Sequence, residues 1–231
     1  MPIDVIGLDG DDTLWHSESL FALTNDRIRD LLAPHVDAET LDERLLDVER
    51  QNLALFGYGA KAFTLSVIET AIEVSRGRVT TAEIQAIIDL GKALLAHPVD
   101  LLDGVADAIE ALADHRLVLI TKGDLFHQES KIAGSGLGDH FESIEIVSEK
   151  DPATYRRVLD GLGVSPDRFL MVGNSLRSDV APVVAIGGRA VHVPYEHQWA
   201  LDSEPDGELP GDGWWHLDSL ADLPALVERL D

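Results

Sequence analysis

Three carboxylates crowd four consecutive positions near the start of the chain, in Asp9-Gly10-Asp11-Asp12-Thr13. The apolar run before them, Ile3-Asp4-Val5-Ile6-Gly7-Leu8, has the character of a buried strand. In open α/β sheets, ligands bind at the loops beyond the carboxyl ends of strands. Asp9 and Asp11 are two apart, so on extended backbone they would share a face. Carboxylates crowded in this way need a cation or a proton to relieve them. The stretch is therefore expected to be a metal-dependent catalytic site whose other parts lie elsewhere in the chain.

Three further apolar runs end in residues of matching chemistry. Leu117–Ile120 leads into Thr121-Lys122-Gly123-Asp124, which offers a hydroxyl and exposed amides at a helix start, the makings of an anion site. Ile144–Val147 leads into Ser148-Glu149-Lys150-Asp151, and Phe169–Val172 into Gly173-Asn174-Ser175-Leu176-Arg177-Ser178-Asp179. Carboxylates, an ammonium, a hydroxyl and a glycine turn, gathered on one rim, would make a site for a metal and a phosphate.

These parts need a frame that brings strand ends together. From Ser17 to about Ala96 the pattern is helical throughout. Leu20, Leu23, Ile28, Leu31 and Leu32 recur at helical spacing, and further helices are expected over Leu41–Leu53, over Ala60–Val74 and from the cap at Thr80-Thr81-Ala82-Glu83 to His97-Pro98. Some eighty residues of helix without a strand form a coherent insertion. After Pro98, helices at Gly104–Asp114, Leu125–Ala133, Ala153–Leu162 and Val180–Ala185 alternate with the strands, which include Ala190–Val193. Such alternation implies a doubly wound parallel sheet. Tyr195–Gly213, rich in Pro, Gly and acids, is expected to be a loop, Trp214–Leu217 an edge strand and Leu220–Leu230 a closing helix.

Composition narrows the function. The formal charge of −24 argues against nucleic acid and against anionic membranes, and accords with solubility. Against that background the five lysines, Lys61, Lys92, Lys122, Lys131 and Lys150, are natural candidates for meeting an anionic substrate. No apolar run approaches the roughly 20 residues that span a bilayer. The N-terminus has no signal-peptide pattern, and the chain has no Cys, which excludes disulfides and thiolate metal sites and suits the cytoplasm.

In these strand-end residues the chain resembles the haloacid dehalogenase-like hydrolase superfamily, whose four motifs recur in order. Asp9-Gly10-Asp11-Asp12-Thr13 corresponds to the first, Thr121 to the second, Lys150 to the third and Gly173–Asp179 to the fourth. The helical insertion lies between the first and second motifs, where that family places a cap. The resemblance implies a Rossmann-like core of residues 1–16 and 97–231 with a helical cap of 17–96. It implies a phosphatase acting on a small phosphorylated metabolite: Asp9 as nucleophile, Asp11 as acid and base, Thr121 with the nearby Gly10, Lys122 and Gly123 for the phosphate, and Lys150 to offset charge. Mg²⁺ would be held by Asp9, the Asp11 carbonyl and Asp179, with Asn174 beside it. Asn174 departs from the acid that many relatives carry, so weaker Mg²⁺ binding is expected. Alternatives are a 2-haloacid dehalogenase, a phosphomutase, and a binding or regulatory protein on a degenerate site; Asp11 favours phosphoryl transfer over dehalogenation.

Several simpler readings stand beside these. Asp12 is expected to be exposed or structural. A calcium loop fails on spacing, since its sixth and twelfth positions are Leu14 and Leu20. Gly134-Ser135-Gly136-Leu137-Gly138 follows a helix and is a plain connection. The nine His form no metal-ligand spacing, although His16 lies just past the nucleophile loop. Lys122 and Asp124 divide evenly between site and surface, and Phe56-Gly57-Tyr58-Gly59-Ala60-Lys61 between a loop over the site, with Lys61 meeting a second anion, and a solvent-exposed turn. Oligomeric state is not legible in the sequence.

Overall fold

Each apolar run described above becomes a strand of one parallel sheet. The computed structural model describes residues 2–202, 209 and 211–230. Strands β1 (Val5–Leu8), β2 (Arg116–Lys122), β3 (Ser143–Val147), β4 (Phe169–Gly173), β5 (Arg189–His192) and β6 (Trp214–His216) stand in the order β3-β2-β1-β4-β5-β6. β1 pairs with β2 from Val5↔Arg116 to Leu8↔Leu119, and with β4 from Val5↔Phe169 to Leu8↔Val172. The chain runs outward to β3 and returns beside β1, so the order reverses between β1 and β4. At such a switch point the loops diverge and leave a crevice beyond the carboxyl ends of the strands.

The pleat of β1 feeds two apolar layers. Ile6 and Leu8 pack with Ile109, Leu119, Leu170 and Leu223, whereas Val5 packs with Val118, Tyr155, Phe169 and Met171. Strands with both faces covered read as continuous apolar runs, which is why they stand out in the sequence. Helices α5 (Val105–Ala111), α6 (Leu125–Ser135), α7 (Pro152–Leu162) and α8 (Ala181–Val184) lie between successive strands, and α9 (Leu223–Leu230) follows β6. The α7 cap shows the local logic: the Asp151 side chain accepts the Thr154 amide and Pro152 opens the helix.

The chain divides into two units, one of Met1–Glu18, Val99–Lys122 and Gln128–Asp231, the other of Ser19–Pro98 with Gly123–His127. The second unit holds most of α1 (Glu18–Leu32) together with α2 (Ala38–Phe56), α3 (Ala60–Val74) and α4 (Thr81–Leu95). Its core comprises Ile28, Leu32, Leu41, Leu45, Phe63, Val67, Ile87 and Leu94. α2 starts three residues before the expected Leu41, because the Asp37 carboxylate accepts the Thr40 amide and opens the helix there. The expected cap at Thr80 is a full capping box with Glu83.

Two expectations shift. Instead of one helix over Val180–Ala185, a wide turn at Leu176–Val180, whose Leu176 carbonyl accepts the Ala181 amide five residues on, precedes the short α8. The closing helix begins at Leu223, after a tight turn at Leu220–Asp222. Of the loop expected over Tyr195–Gly213, residues 203–208 and 210 lie outside the described residues. Among the described residues, no helix is long and apolar enough to cross a membrane.

Candidate active site

β1 delivers Asp9. Its amide continues the ladder to β4 by donating to the Val172 carbonyl at 2.9 Å, which fixes the residue at the switch point. The carboxylate is buried, and the Lys150 Nζ lies 2.5 Å from its Oδ1 and 2.6 Å from the Oδ1 of Asp179. Burial pushes the Asp9 carboxyl up to about 7, with Lys150 pulling down against it and Asp179 adding to the rise. Burial likewise opposes the charge of Lys150, but Asp179 and Asp9 outweigh it and its pKa rises. One ammonium thus serves two buried carboxylates. Lys150, which in isolation has the look of a surface residue, has a side chain only 1% exposed.

Asp179 reaches this point because Gly173 has no side chain. A Cβ there would lie 2.2 Å from the Asp179 Oδ2, so the carboxylate passes directly against the end of β4. The Asp179 Oδ2 also accepts the Ser175 amide at 3.0 Å.

Asp11 meets a different set of partners, although it lies near enough to Asp9 to add to the rise of that carboxyl. Beyond Gly10 the chain turns tightly: the Gly10 carbonyl accepts the amides of Thr13, Leu14 and Trp15. The Asp11 carboxylate meets its own ammonium, the Lys131 Nζ, at 2.5 and 2.6 Å, and also accepts from the Trp15 Nε1 at 2.6 Å and the Gln128 Nε2 at 3.0 Å. Burial works against its charge, but Lys131, and then Trp15 and Gln128, outweigh it and hold the carboxyl below the usual range. Asp12, the third of the cluster, is buried rather than exposed. In a left-handed conformation (φ 61°), it accepts the amides of Ser17 and Glu18 at 2.9–3.1 Å and so opens α1. Burial, with Asp11 and Glu18 nearby, raises its carboxyl to about 8.

Thr121 is buried at the end of β2. Its hydroxyl accepts from the Gln128 Nε2 at 3.2 Å, and the same amide donates to the Lys122 carbonyl at 2.9 Å. Among the described residues the Gln128 Oε1 is buried with no hydrogen-bond partner. Gly10 lies against this group, since a Cβ on it would stand 2.7 Å from the Trp15 ring and 3.3 Å from the Thr121 hydroxyl. Lys122 turns to another cluster: its ammonium meets Asp202 at 2.6 Å and accompanies Ser178 at 2.8 Å. Gly123 (φ 148°) belongs to the second unit. There Asp124 accepts the His127 amide and pairs with Lys61 at 2.8 Å, and the Lys61 ammonium stands 5.6 Å from the centre of the Phe126 ring. The His16 Nδ1 and the Tyr195 hydroxyl share a 2.6 Å hydrogen bond.

The donor set suits a hard cation. When both are ionised, Asp9 and Asp179 carry two negative charges against the single charge of Lys150. Among the described residues, the Asp9 Oδ2 and the Asn174 Oδ1 have only long contacts to one shared hydroxyl, that of Thr13, at 3.5 and 3.4 Å. A hydroxyl donates to one acceptor at a time, so at least one of these oxygens is left with spare capacity. Among the described residues no three His, Cys, Asp or Glu side chains gather as a metal group; the set is two carboxylates and an amide oxygen, ligand types that Mg²⁺ completes with water.

Three residues around Asp11 escape a reading by strand ends. Trp15 arrives through the tight turn, and Gln128 and Lys131 through α6. Their signal is the i, i+3 spacing of an amide and an ammonium on the helix that follows Thr121, which places both on one face.

The haloacid dehalogenase-like hydrolase family matches residues 3–187. A haloacid dehalogenase-like family hydrolase of Xanthomonas campestris has a structure similar to this chain, with a TM-score of 0.89 and 46% identity over 99% of this chain and 92% of its own. N-acylneuraminate-9-phosphatase of Mus musculus is 29% identical over 138 residues, which is 55% of this chain and 53% of that enzyme. Phosphoserine phosphatase of Thermus thermophilus is 35% identical over 96 residues, 38% of this chain and 39% of that enzyme. The chain therefore spans about half or less of the length of these two enzymes.

Proposed function

The chain belongs to the haloacid dehalogenase-like hydrolase family, and within it we propose a Mg²⁺-dependent phosphatase of small phosphorylated metabolites. The observation that carries this reading is the division of labour between Asp9 and Asp11. One carboxylate lies in a pocket shared with Lys150 and Asp179, and a second, two residues on, has an ammonium of its own. A dehalogenase needs the first but has no use for the second. The phosphatase names of the two enzymes matched in sequence point the same way.

In this reading the Asp9 Oδ2, the oxygen not engaged by Lys150, attacks phosphorus and forms an aspartyl-phosphate. Asp11 gives a proton to the leaving oxygen and takes one from the water that releases phosphate. Because its partners in the resting structure all donate to it, Asp11 must loosen from some of them to carry that proton. Thr121, with the main chain near Gly10, Lys122 and Gly123, receives phosphate oxygens, and Lys150 offsets their charge against Asp9. Asp9, Asp179, Asn174 and the Asp11 carbonyl would hold Mg²⁺, which supplies positive charge where two anions meet. The helical unit is assigned the role of a cap that selects the substrate, and the chain is assigned to the cytoplasm, without nucleic-acid or membrane partners.

Phosphate release from p-nitrophenyl phosphate, with and without Mg²⁺, tests the proposal, alongside halide release from a 2-haloacid. Release of phosphate that requires Mg²⁺ supports it. Halide release without phosphate release, or neither, defeats it.

A further inference from the structure

The turn that carries Asp179 is gripped from outside by a segment to which nothing above assigns a role. Leu176–Val180 is a wide turn of an uncommon kind, closed by the bond from the Ala181 amide to the Leu176 carbonyl. Inside, the buried Tyr155 hydroxyl donates to the Ser178 carbonyl at 2.9 Å. Outside, three side chains of residues 175–178 reach the segment after β5: the Ser175 hydroxyl donates to the Asp202 carbonyl at 3.2 Å, the Arg177 Nη1 to the Leu201 carbonyl at 2.7 Å, and the Ser178 hydroxyl to the Asp202 Oδ1 at 2.7 Å. Lys122, at the end of β2, brings its ammonium to that same Oδ1 at 2.6 Å and to the Ser178 hydroxyl at 2.8 Å. Burial works against the charge of Asp202, but Lys122 and the serines outweigh it and hold its carboxyl below the ordinary range.

We propose that Asp202 is a positioning residue, whose carboxylate, held by Lys122 and Ser178, fixes the turn that presents Asp179. The inference rests on reading Asp179 as a carboxylate of the cation pocket. Its physical basis is adjacency: Ser178 is the residue next to Asp179, and the Asp179 carboxylate has little room to move, with Gly173 against one side and Lys150 on the other. A wide turn lacks the regular ladder that holds an α-helix in place, so its geometry depends on what surrounds it. Asp202 ties that geometry to β2 through Lys122 and so links two strand ends that flank β1.

The test compares the full chain with Asp202→Ala and Asp202→Asn, the latter keeping an acceptor oxygen without the charge. Hydrogen exchange of the amides of 175–180 is measured without metal, and binding of Mg²⁺ alone is measured by calorimetry. In Asp202→Ala, exchange in that turn rises at least about tenfold, the factor implied by losing one charged hydrogen bond, while β1 and β4 keep their rates. Mg²⁺ affinity falls about tenfold or more, as for residues that orient metal ligands. Asp202→Asn falls between Asp202→Ala and the wild type in both measurements, since its oxygen still accepts from Ser178 and Lys122 but without the charge; an Asn variant as impaired as the Ala variant counts against the proposal. Unchanged exchange in the turn, exchange rising equally in the strands, or unchanged Mg²⁺ affinity each overturns the proposal. If Asp202→Ala does not fold, Ser178→Ala removes the contact from the other side and is judged by the same criteria. The exchange measurement involves no catalysis, so a wild type that releases no phosphate would defeat the functional reading and be recognised separately.

Discussion

Asp9 and Asp11 are the same residue type two positions apart, yet their surroundings drive them in opposite directions. Asp9 shares one ammonium with Asp179 in a pocket where burial prevails, and its carboxyl rises to about 7. Asp11 has Lys131 to itself and adds an indole and an amide, and these donors prevail over burial. The count of donors per carboxylate, rather than depth alone, separates the two. In the resting pocket that asymmetry opposes the proposed roles, since a nucleophile needs an ionised carboxylate and a general acid one whose pKa is raised. A cation beside Asp9 would lower its carboxyl, and release from Lys131 would raise that of Asp11.

The sharpest way to break the comparison is to neutralise each carboxylate in turn. Asp9→Asn is expected to remove turnover, by roughly a thousandfold or more, because no other group replaces a covalent nucleophile. Asp11→Asn is expected to lower turnover by roughly 10²–10⁴, the range for one acid–base group, with the fold intact. Steady-state phosphate release measures both, and full activity in Asp9→Asn would refute the mechanism.

The lysines test the same contrast in stability. Lys150→Met leaves two buried carboxylates facing each other and is expected to cost about 3–5 kcal/mol in denaturant unfolding. Lys131→Met leaves Asp11 with Trp15 and Gln128, on a side chain 28% exposed against 10% for Asp9. Its cost is expected to be smaller, about 1–2 kcal/mol. Equal costs would show that sharing of the ammonium is not what distinguishes the sites. Asn174→Asp adds the charge that the Asp9 pocket lacks and is expected to tighten Mg²⁺ binding; calorimetry showing equal or weaker binding would count against that account.

The smallest effect comes from a half-buried carboxylate of the helical unit. Glu83 accepts from the Thr80 amide and hydroxyl and pairs with His35, and these contacts, in that order, lower its carboxyl to about 2. Its folded pKa lies below its unfolded one, so its stabilisation is complete above about pH 4.5 and is lost as pH falls toward 2. The stability advantage of wild type over Glu83→Gln should therefore shrink between pH 6 and pH 3 in thermal unfolding. A constant gap would show that the Thr80 and His35 contacts do not hold the Glu83 carboxyl below its ordinary range.

The sheet was legible because strands buried on both faces are unbroken apolar runs, as in Leu117–Ile120 and Phe169–Val172. Asp9, Thr121 and Lys150 were legible for a related reason, since each closely follows such a run, and Asp179 closes the polar stretch after Phe169–Val172. Lys131 and Gln128 arrive on a helix face, and Trp15 folds back through a tight turn, so their distance along the chain says little about what they touch. Asp202 is harder still, because the loop that bears it has no periodicity to place it opposite Ser178. The tight turn that carries Trp15 back to Asp11, where the Gly10 carbonyl gathers three amides, has no apolar period to announce it.

The hydrogen bond from Trp15 to Asp11 also gives the protein an internal optical reporter. The Trp15 side chain is fully buried and its indole nitrogen lies 2.6 Å from the Asp11 carboxylate. An excited indole responds to charge at that distance through its large dipole. Any event that moves or neutralises Asp11 therefore changes the emission of Trp15, and substituting Trp15 by Phe identifies that signal among the four tryptophans of the chain. Arrival of a phosphate ester could then be followed as light, on the enzyme itself and without a coloured product.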